Sequence, residues 1–119
     1  MAGEDDCGEL RRRFARGFLD LLILRLLMRE PLWGYRMMSM LRKDHGIRVG
    51  PPVVYPLLNS MEADGLVESE DVYEGRRRRR VFRATRRGLE LVRCFEAVLS
   101  EMLGDSGSPR RPPAASRPR

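Results

Sequence analysis

The sequence predicts a mainly α fold with a two-stranded β wing, a winged helix-turn-helix followed by a C-terminal dimerisation helix. Three observations carry that reading. Helical patterns lead into a hairpin pattern and then a further helix, in direct succession. The second hairpin strand opens with five consecutive arginines, Arg76 to Arg80, just after the turn-like Glu74-Gly75. The last helical pattern carries apolar residues at three- and four-residue spacing, as a helix with a packing seam does.

The first helix is expected over residues 10–29, because the residue before Pro31 is pushed out of the α region. Its second half, from Leu19 to Met28, is apolar on more than one side. A helix with two apolar faces must be covered twice, by its own domain and by a second subunit. The acidic residues 1–9 read as a flexible arm. The second helix begins at Gly34 and runs to about Lys43, with Tyr35, Met38 and Leu41 as its buried stripe and Arg36 and Arg42 outside.

Pro56 bears on the start of the third helix. Proline is tolerated only where no intrahelical partner awaits its missing N–H, so helical geometry should begin near Pro52 or Val53. Gly65 can take the left-handed cap position that ends it. The strands are expected over residues 66–73 and 76–84. By parity Arg80, Phe82 and Ala84 share one face, so Phe82 pins the hairpin to the body while Arg76 to Arg79 lie beyond any anchor. Thr85 is a good N-cap for the last helix, whose seam runs through Leu89, Val92, Phe95, Val98, Leu99, Met102 and Leu103. The resulting organisation is a flexible arm (1–9), a winged domain (10–85), a dimerisation helix (86–103) and a disordered basic tail (104–119) rich in proline, serine, glycine and arginine.

The totals narrow the function. A chain of 119 residues buries a modest core, and a homodimer that shares a core is a natural solution. Leu22 and Leu26 of the first helix and Leu89, Val92, Phe95, Leu99 and Met102 of the last are the expected interface. A net charge of +6 and a pI near 10.3 favour a polyanionic partner. Lys43 is the only lysine, so arginine is the general-purpose cation and clustering counts for more than abundance. Cys7 and Cys94 are too few for a disulfide scaffold, and His45 alone leaves no zinc set. No nucleophile, base and orienter stand together, so neither an enzyme nor a cofactor is expected. The most apolar run, residues 18–28, is broken by Asp20 and Arg25 and is shorter than the about 20 residues a bilayer crossing needs. A reduced, cytoplasmic setting without membrane contact is the expectation.

Several linked pieces of the chain resemble the PadR family of transcriptional regulators. Residues 17–27 are similar to that family's first helix, and Pro31-Leu32-Trp33-Gly34-Tyr35 to the start of its second. Tyr55-Pro56, Leu58, Met61-Glu62 and Gly65-Leu66 resemble its Tyr-Pro recognition helix and the glycine that follows. Arg80 to Thr85 and then Gly88 resemble its basic wing strand and Thr-x-x-Gly helix start. The resemblance spans nearly everything from Gly17 to about Leu103 and falls in the compact branch with a single C-terminal helix. Val53, Ser60 and Phe82 depart from the usual hydroxyl, basic and tyrosine residues. What the resemblance implies is a homodimeric winged-helix regulator, mostly of the repressor kind, on inverted repeats of double-stranded DNA. Some relatives release DNA when a small molecule occupies the dimer interface, stacked on a tryptophan of the last helix; this chain offers Phe95 at most there, so an effector is suggested by the resemblance and by no residue of the sequence.

On the third helix Val54, Leu58 and Met61 form the core stripe, which leaves Pro52, Tyr55, Pro56, Asn59 and Ala63 toward a groove. Asn59 is the candidate base reader, since an amide pairs two-pronged with adenine. It is equally a plain surface asparagine near a helix end. Tyr55 is the candidate phosphate contact, implied by the resemblance and by its face, or else a half-buried packing residue. That helix carries Glu62 and Asp64 and no cation, so Arg76, Arg77, Arg78, Arg79 and Arg80 are expected to supply affinity through backbone phosphates. Arg36 and Arg48 are further candidates, or ordinary surface charges. The competing reading of the arginine run is edge protection, or a module that takes RNA or acidic protein partners through the same wing.

Overall fold

In the computed structural model, which describes residues 3–104, the elements run α1 (Glu4–Leu27), β1 (Leu32–Trp33), α2 (Gly34–His45), α3 (Pro51–Ala63), β2 (Val67–Glu74), β3 (Arg77–Ala84) and α4 (Arg86–Leu103). The helices pack at the inner end of an antiparallel sheet of order β1-β3-β2, whose outer hairpin is exposed. The basic tail expected beyond Gly104 lies outside the described residues.

Helix α1 begins at Glu4, so residues 4–9 are its first turns and not a flexible arm. The physical reason is a charge ladder: Glu9 pairs with Arg12 (3.0 Å) and Arg16 (3.5 Å) on the same helix. The helix breaks at Phe18, whose φ of −132° is not helical. There Phe18 packs in tilted ring contacts on Phe14 at 4.9 Å and on Phe95 of α4 at 5.4 Å between ring centroids. Beyond the break Leu19, Ile23, Leu24, Leu26 and Leu27 enter the core, and Arg25 pairs with Glu96 of α4.

The wing has a third strand that the sequence reading did not expect. Extended backbone after Pro31 lays Leu32 against Phe82 and Trp33 against Val81. Because β1 is only two residues long, it covers the inner half of β3 and leaves the outer half, Arg77 to Arg80, unpaired on that side. Phe82 is fully buried and pins the hairpin as expected. The β2–β3 ladder runs from Val67↔Ala84 to Glu74↔Arg77 and closes through Gly75, whose φ of 64° suits a residue without Cβ.

Helix α2 buries Gly34, Met37, Met38 and Leu41. Tyr35, expected in that stripe, is 66% exposed, because the stripe runs from Gly34 and sends its neighbour outward. Helix α3 starts at Pro51, one or two residues before the expected start, with prolines in its first two positions. Pro56 is therefore a true interior residue, and the Pro52 carbonyl, on an exposed residue, is left to water. The helix closes in a Schellman motif: the Leu66 N–H donates to the Met61 carbonyl (2.9 Å), and the Gly65 N–H to that of Glu62 (3.0 Å).

Thr85 joins α4 to this corner. Its N–H donates to the Leu66 carbonyl (3.0 Å), and its Oγ1 donates to the Gly65 carbonyl (2.6 Å) and accepts from the Gly88 N–H (3.1 Å). Gly88 lies so close beneath that a Cβ there would collide with the Leu66 carbonyl oxygen. The Thr-x-x-Gly spacing is thus a cap and a close approach in one device. Of the expected interface residues, Leu26 and Val92 are buried in the chain's own core and have no surface to offer a partner. Leu22, Leu89, Phe95 and Leu99 are half-buried and Met102 is exposed. The apolar surface that α4 leaves open is Leu91, Val98, Met102 and Leu103.

Candidate nucleic-acid interface

Helix α3 turns Val54, Leu58 and Met61 inward and leaves Pro52, Pro56, Asn59 and Ala63 exposed along one side. That outward stripe carries no charge. Glu62 does not face it. Its Oε1 accepts from Arg80 Nη2 (2.6 Å) and its Oε2 from Ser69 Oγ (2.9 Å), and Arg80 Nε donates to the same Ser69 oxygen (3.0 Å). The Arg80 guanidinium also sits 5.1 Å from the Phe82 ring centroid. Arg80, expected on phosphate, is therefore held within the chain, and it bolts the wing to the end of α3. Glu62, expected as an adverse charge, is neutralised by the same contact.

The remaining wing arginines differ among themselves. Arg76 lies in the hairpin turn and Arg77 opens β3, and among the described residues neither has an acidic partner within salt-bridge distance. Arg78 stands 3.6 Å from Asp71. Arg79 was expected beyond any anchor, but its side chain is only 26% exposed: its guanidinium lies 4.4 Å from the Trp33 ring centroid, with Glu74 at 3.6 Å.

Tyr55 is half-buried. Its hydroxyl end rests on Gly34, where a Cβ would collide with it, and its ring meets Tyr35 edge-on at 6.5 Å. Burial first, and the neighbouring Tyr35 second, push its phenol above the ordinary range, so it stays a neutral donor. The packing reading and the phosphate reading of Tyr55 meet here, because the same ring borders an open cleft. Trp33, Tyr35, Tyr55 and Arg77 to Arg80 line that cleft of about 250 Å³ at the base of the wing. Its aromatic and cationic walls suit an anion.

The structure thus brings Tyr55 together with the wing arginines and adds Trp33 and Tyr35. The only sequence signal for these two was the aromatic pair flanking Gly34. Arg36 is exposed on α2, outside the cleft. Arg48 lies elsewhere, in a groove of about 380 Å³ with Arg11, Arg12 and Arg16 of α1 over an apolar floor that includes Leu19 and Ile47. Among the described residues no acidic, histidine and cysteine cluster could hold a metal, and no helix is long and apolar enough to cross a membrane.

Comparisons with known proteins agree with this geometry. The sequence pattern of the transcriptional regulator PadR-like family matches residues 23–93. The chain is 44% identical over 64 residues to the transcriptional regulator Rv3488 of Mycobacterium tuberculosis (strain ATCC 25618 / H37Rv), a match covering 50% of this chain and 60% of that protein. It thus spans less than two thirds of that relative's length. A PadR family transcriptional regulator from Eggerthella lenta DSM 2243 superposes with a TM-score of 0.68 at 38% identity, over 80% of each chain. Bacillus subtilis PadR, solved in complex with operator DNA, has the same fold: TM-score 0.62 at 19% identity, over 78% of this chain and 50% of that one.

Proposed function

The chain belongs to the transcriptional regulator PadR-like family, and from that premise we propose that it is a homodimeric repressor acting on an inverted-repeat DNA operator. The observation that carries this reading is the contrast between two adjoining surfaces. An uncharged, exposed side of α3 stands beside a wing whose outermost arginines, Arg76 and Arg77, have no ion pair among the described residues.

In this reading α3 enters the major groove and Asn59 reads a base edge, worth about 1 to 3 kcal/mol of discrimination. Pro52 and Tyr55 flank it, with the Tyr55 hydroxyl on a phosphate. Arg76 to Arg79 neutralise the flanking backbone, and Arg36 and Arg48 are peripheral. Four phosphates per wing and two wings give a slope of log affinity against log salt of about −7. Dimerisation rests on α1 and α4. Leu91 and Val98 join Met102 as open apolar surface there, in support of a partner, and Leu22, Leu89, Phe95 and Leu99 border it. Twofold symmetry then sets half-sites about one helical turn apart.

Fluorescence anisotropy against duplex DNA, duplex RNA and single strands at equal salt tests the reading. Tightest binding to duplex DNA with the steep slope supports it. Preference for RNA or single strands would instead make the arginine wing an RNA-binding arm.

A further inference from the structure

We propose that Trp33 is a positioning residue for DNA binding: its indole holds the Arg79 guanidinium over the ring face, so that the guanidinium edge and the Tyr55 hydroxyl seat one backbone phosphate in the cleft at the base of the wing. The inference rests on the DNA-binding reading above and assigns a role to a residue that the sequence marks only as part of the Pro31-Leu32-Trp33-Gly34-Tyr35 entry to the second helix.

Strand β1 fixes the indole. Leu32 is buried opposite Phe82, so its neighbour Trp33, opposite Val81, is turned the other way, beside the uncovered outer half of β3. Arg79 is two residues from Val81 on β3 and so shares its face, which carries the guanidinium over the indole at 4.4 Å. A guanidinium stacked on a ring gives up only its face. All of its N–H donors lie in the plane and remain at the edge, in the fork geometry that matches a phosphate. The acidic group within ion-pair distance of Arg79 among the described residues, Glu74, is 3.6 Å away and does not hold that edge in a hydrogen bond.

The rest of the cleft agrees in chemistry. Its lining contains arginines and aromatic rings and no acidic side chain. Tyr55 is held in place by its rest on Gly34. An unstacked arginine at the tip of a hairpin must surrender rotamer freedom when it meets a phosphate, whereas Arg79 has already surrendered it. The ligand is an oxyanion of the phosphate class, and the setting beside α3 assigns it to the DNA backbone and not to a free small anion.

The test uses the full chain. Duplex affinity across a salt series is measured for the wild type, Trp33→Phe, Trp33→Leu, Arg79→Lys, Arg79→Ala and the double variant Trp33→Leu/Arg79→Ala. Trp33 is the only tryptophan, so its emission is followed during titration with duplex DNA and, separately, with inorganic phosphate at the same ionic strength. Trp33→Leu should weaken binding about fivefold per protomer, the scale of one cation–π contact. Trp33→Phe should recover part of that loss. Arg79→Lys should not restore binding, because an ammonium lacks the planar fork. The double variant should bind no worse than Arg79→Ala. Wild-type emission should change on duplex binding.

Wild-type affinity in Trp33→Leu, additive losses in the double variant, or unchanged emission at duplex saturation would each overturn the inference while leaving DNA binding intact. If Trp33→Leu fails to fold, the emission titration and Trp33→Phe decide alone. An emission response to inorganic phosphate equal to that with duplex would overturn the assignment to the DNA backbone. Failure of the wild type to bind duplex DNA at all would remove the reading beneath it.

Discussion

Arg77→Ala and Arg80→Ala remove the same side chain three positions apart on one strand and should behave differently. Arg77 pairs across the hairpin with Glu74 in register only, is exposed, and has no ion pair among the described residues. Its loss removes one phosphate contact per protomer and two per dimer. At about 0.9 in slope per phosphate, the salt dependence should flatten from about −7 to about −5, with no change in melting temperature. Arg80 instead closes a hydrogen-bonded set with Glu62 and Ser69 at 2.6 to 3.0 Å. Its loss strands the Glu62 carboxylate, which is one-third exposed, so the penalty is discounted for solvent to about 1 kcal/mol. That is a fall in melting temperature of about 4 to 8 °C for a domain this size, with the salt slope unchanged once the protein is folded. Anisotropy across a chloride series and thermal melts followed by circular dichroism measure both quantities. If Arg80→Ala flattens the slope as much as Arg77→Ala and melts with the wild type, the division between an internal bolt and free phosphate contacts is wrong.

Three further outcomes follow from the packing. Gly34→Ala should keep the fold, since the three atoms nearest the new Cβ all belong to the Tyr55 side chain, but should displace that ring and weaken duplex binding as much as Tyr55→Ala does; equal affinity to wild type would count against Tyr55 as a contact. Gly88→Ala drives a Cβ into the Leu66 backbone, which cannot swing aside, so stability in a denaturant melt should drop by about 3 kcal/mol or more. Val98→Asp places a charge on the open apolar side of α4 and should yield a folded single subunit in sedimentation equilibrium; a dimer of unchanged strength would move the interface elsewhere.

What could be read from the sequence was local chemistry. Gly65 as a left-handed cap, Thr85 as an N-cap and Phe82 as the pin each depend on neighbours a few residues away, and each stands in the structure as expected. What could not be read depends on partners distant in the chain. Strand β1 is two residues long and exists only through its pairing with β3. The Arg80–Glu62 contact joins residues 18 apart, so Arg80 looked like its four neighbours in the run. The apolar spacing of α4 does not say which residues face the chain's own core, and Val92, expected at the dimer interface, is fully buried within the subunit. At α1 residues 4–9 carry no apolar stripe to mark a helix, and the Glu9 contacts to Arg12 and Arg16 become evident only in the structure.

Under the proposed function a paired molecule reads a symmetric DNA site through α3 while its wings hold the flanking backbone. Selection of bound duplexes from a random pool, followed by footprinting of the enriched sequence, tests it most directly. The account predicts one enriched inverted repeat with half-sites about one helical turn apart, protected on both halves and lost to Asn59→Ala before Arg77→Ala. A pool that stays unenriched, or a single unpaired half-site bound by one subunit, would contradict it.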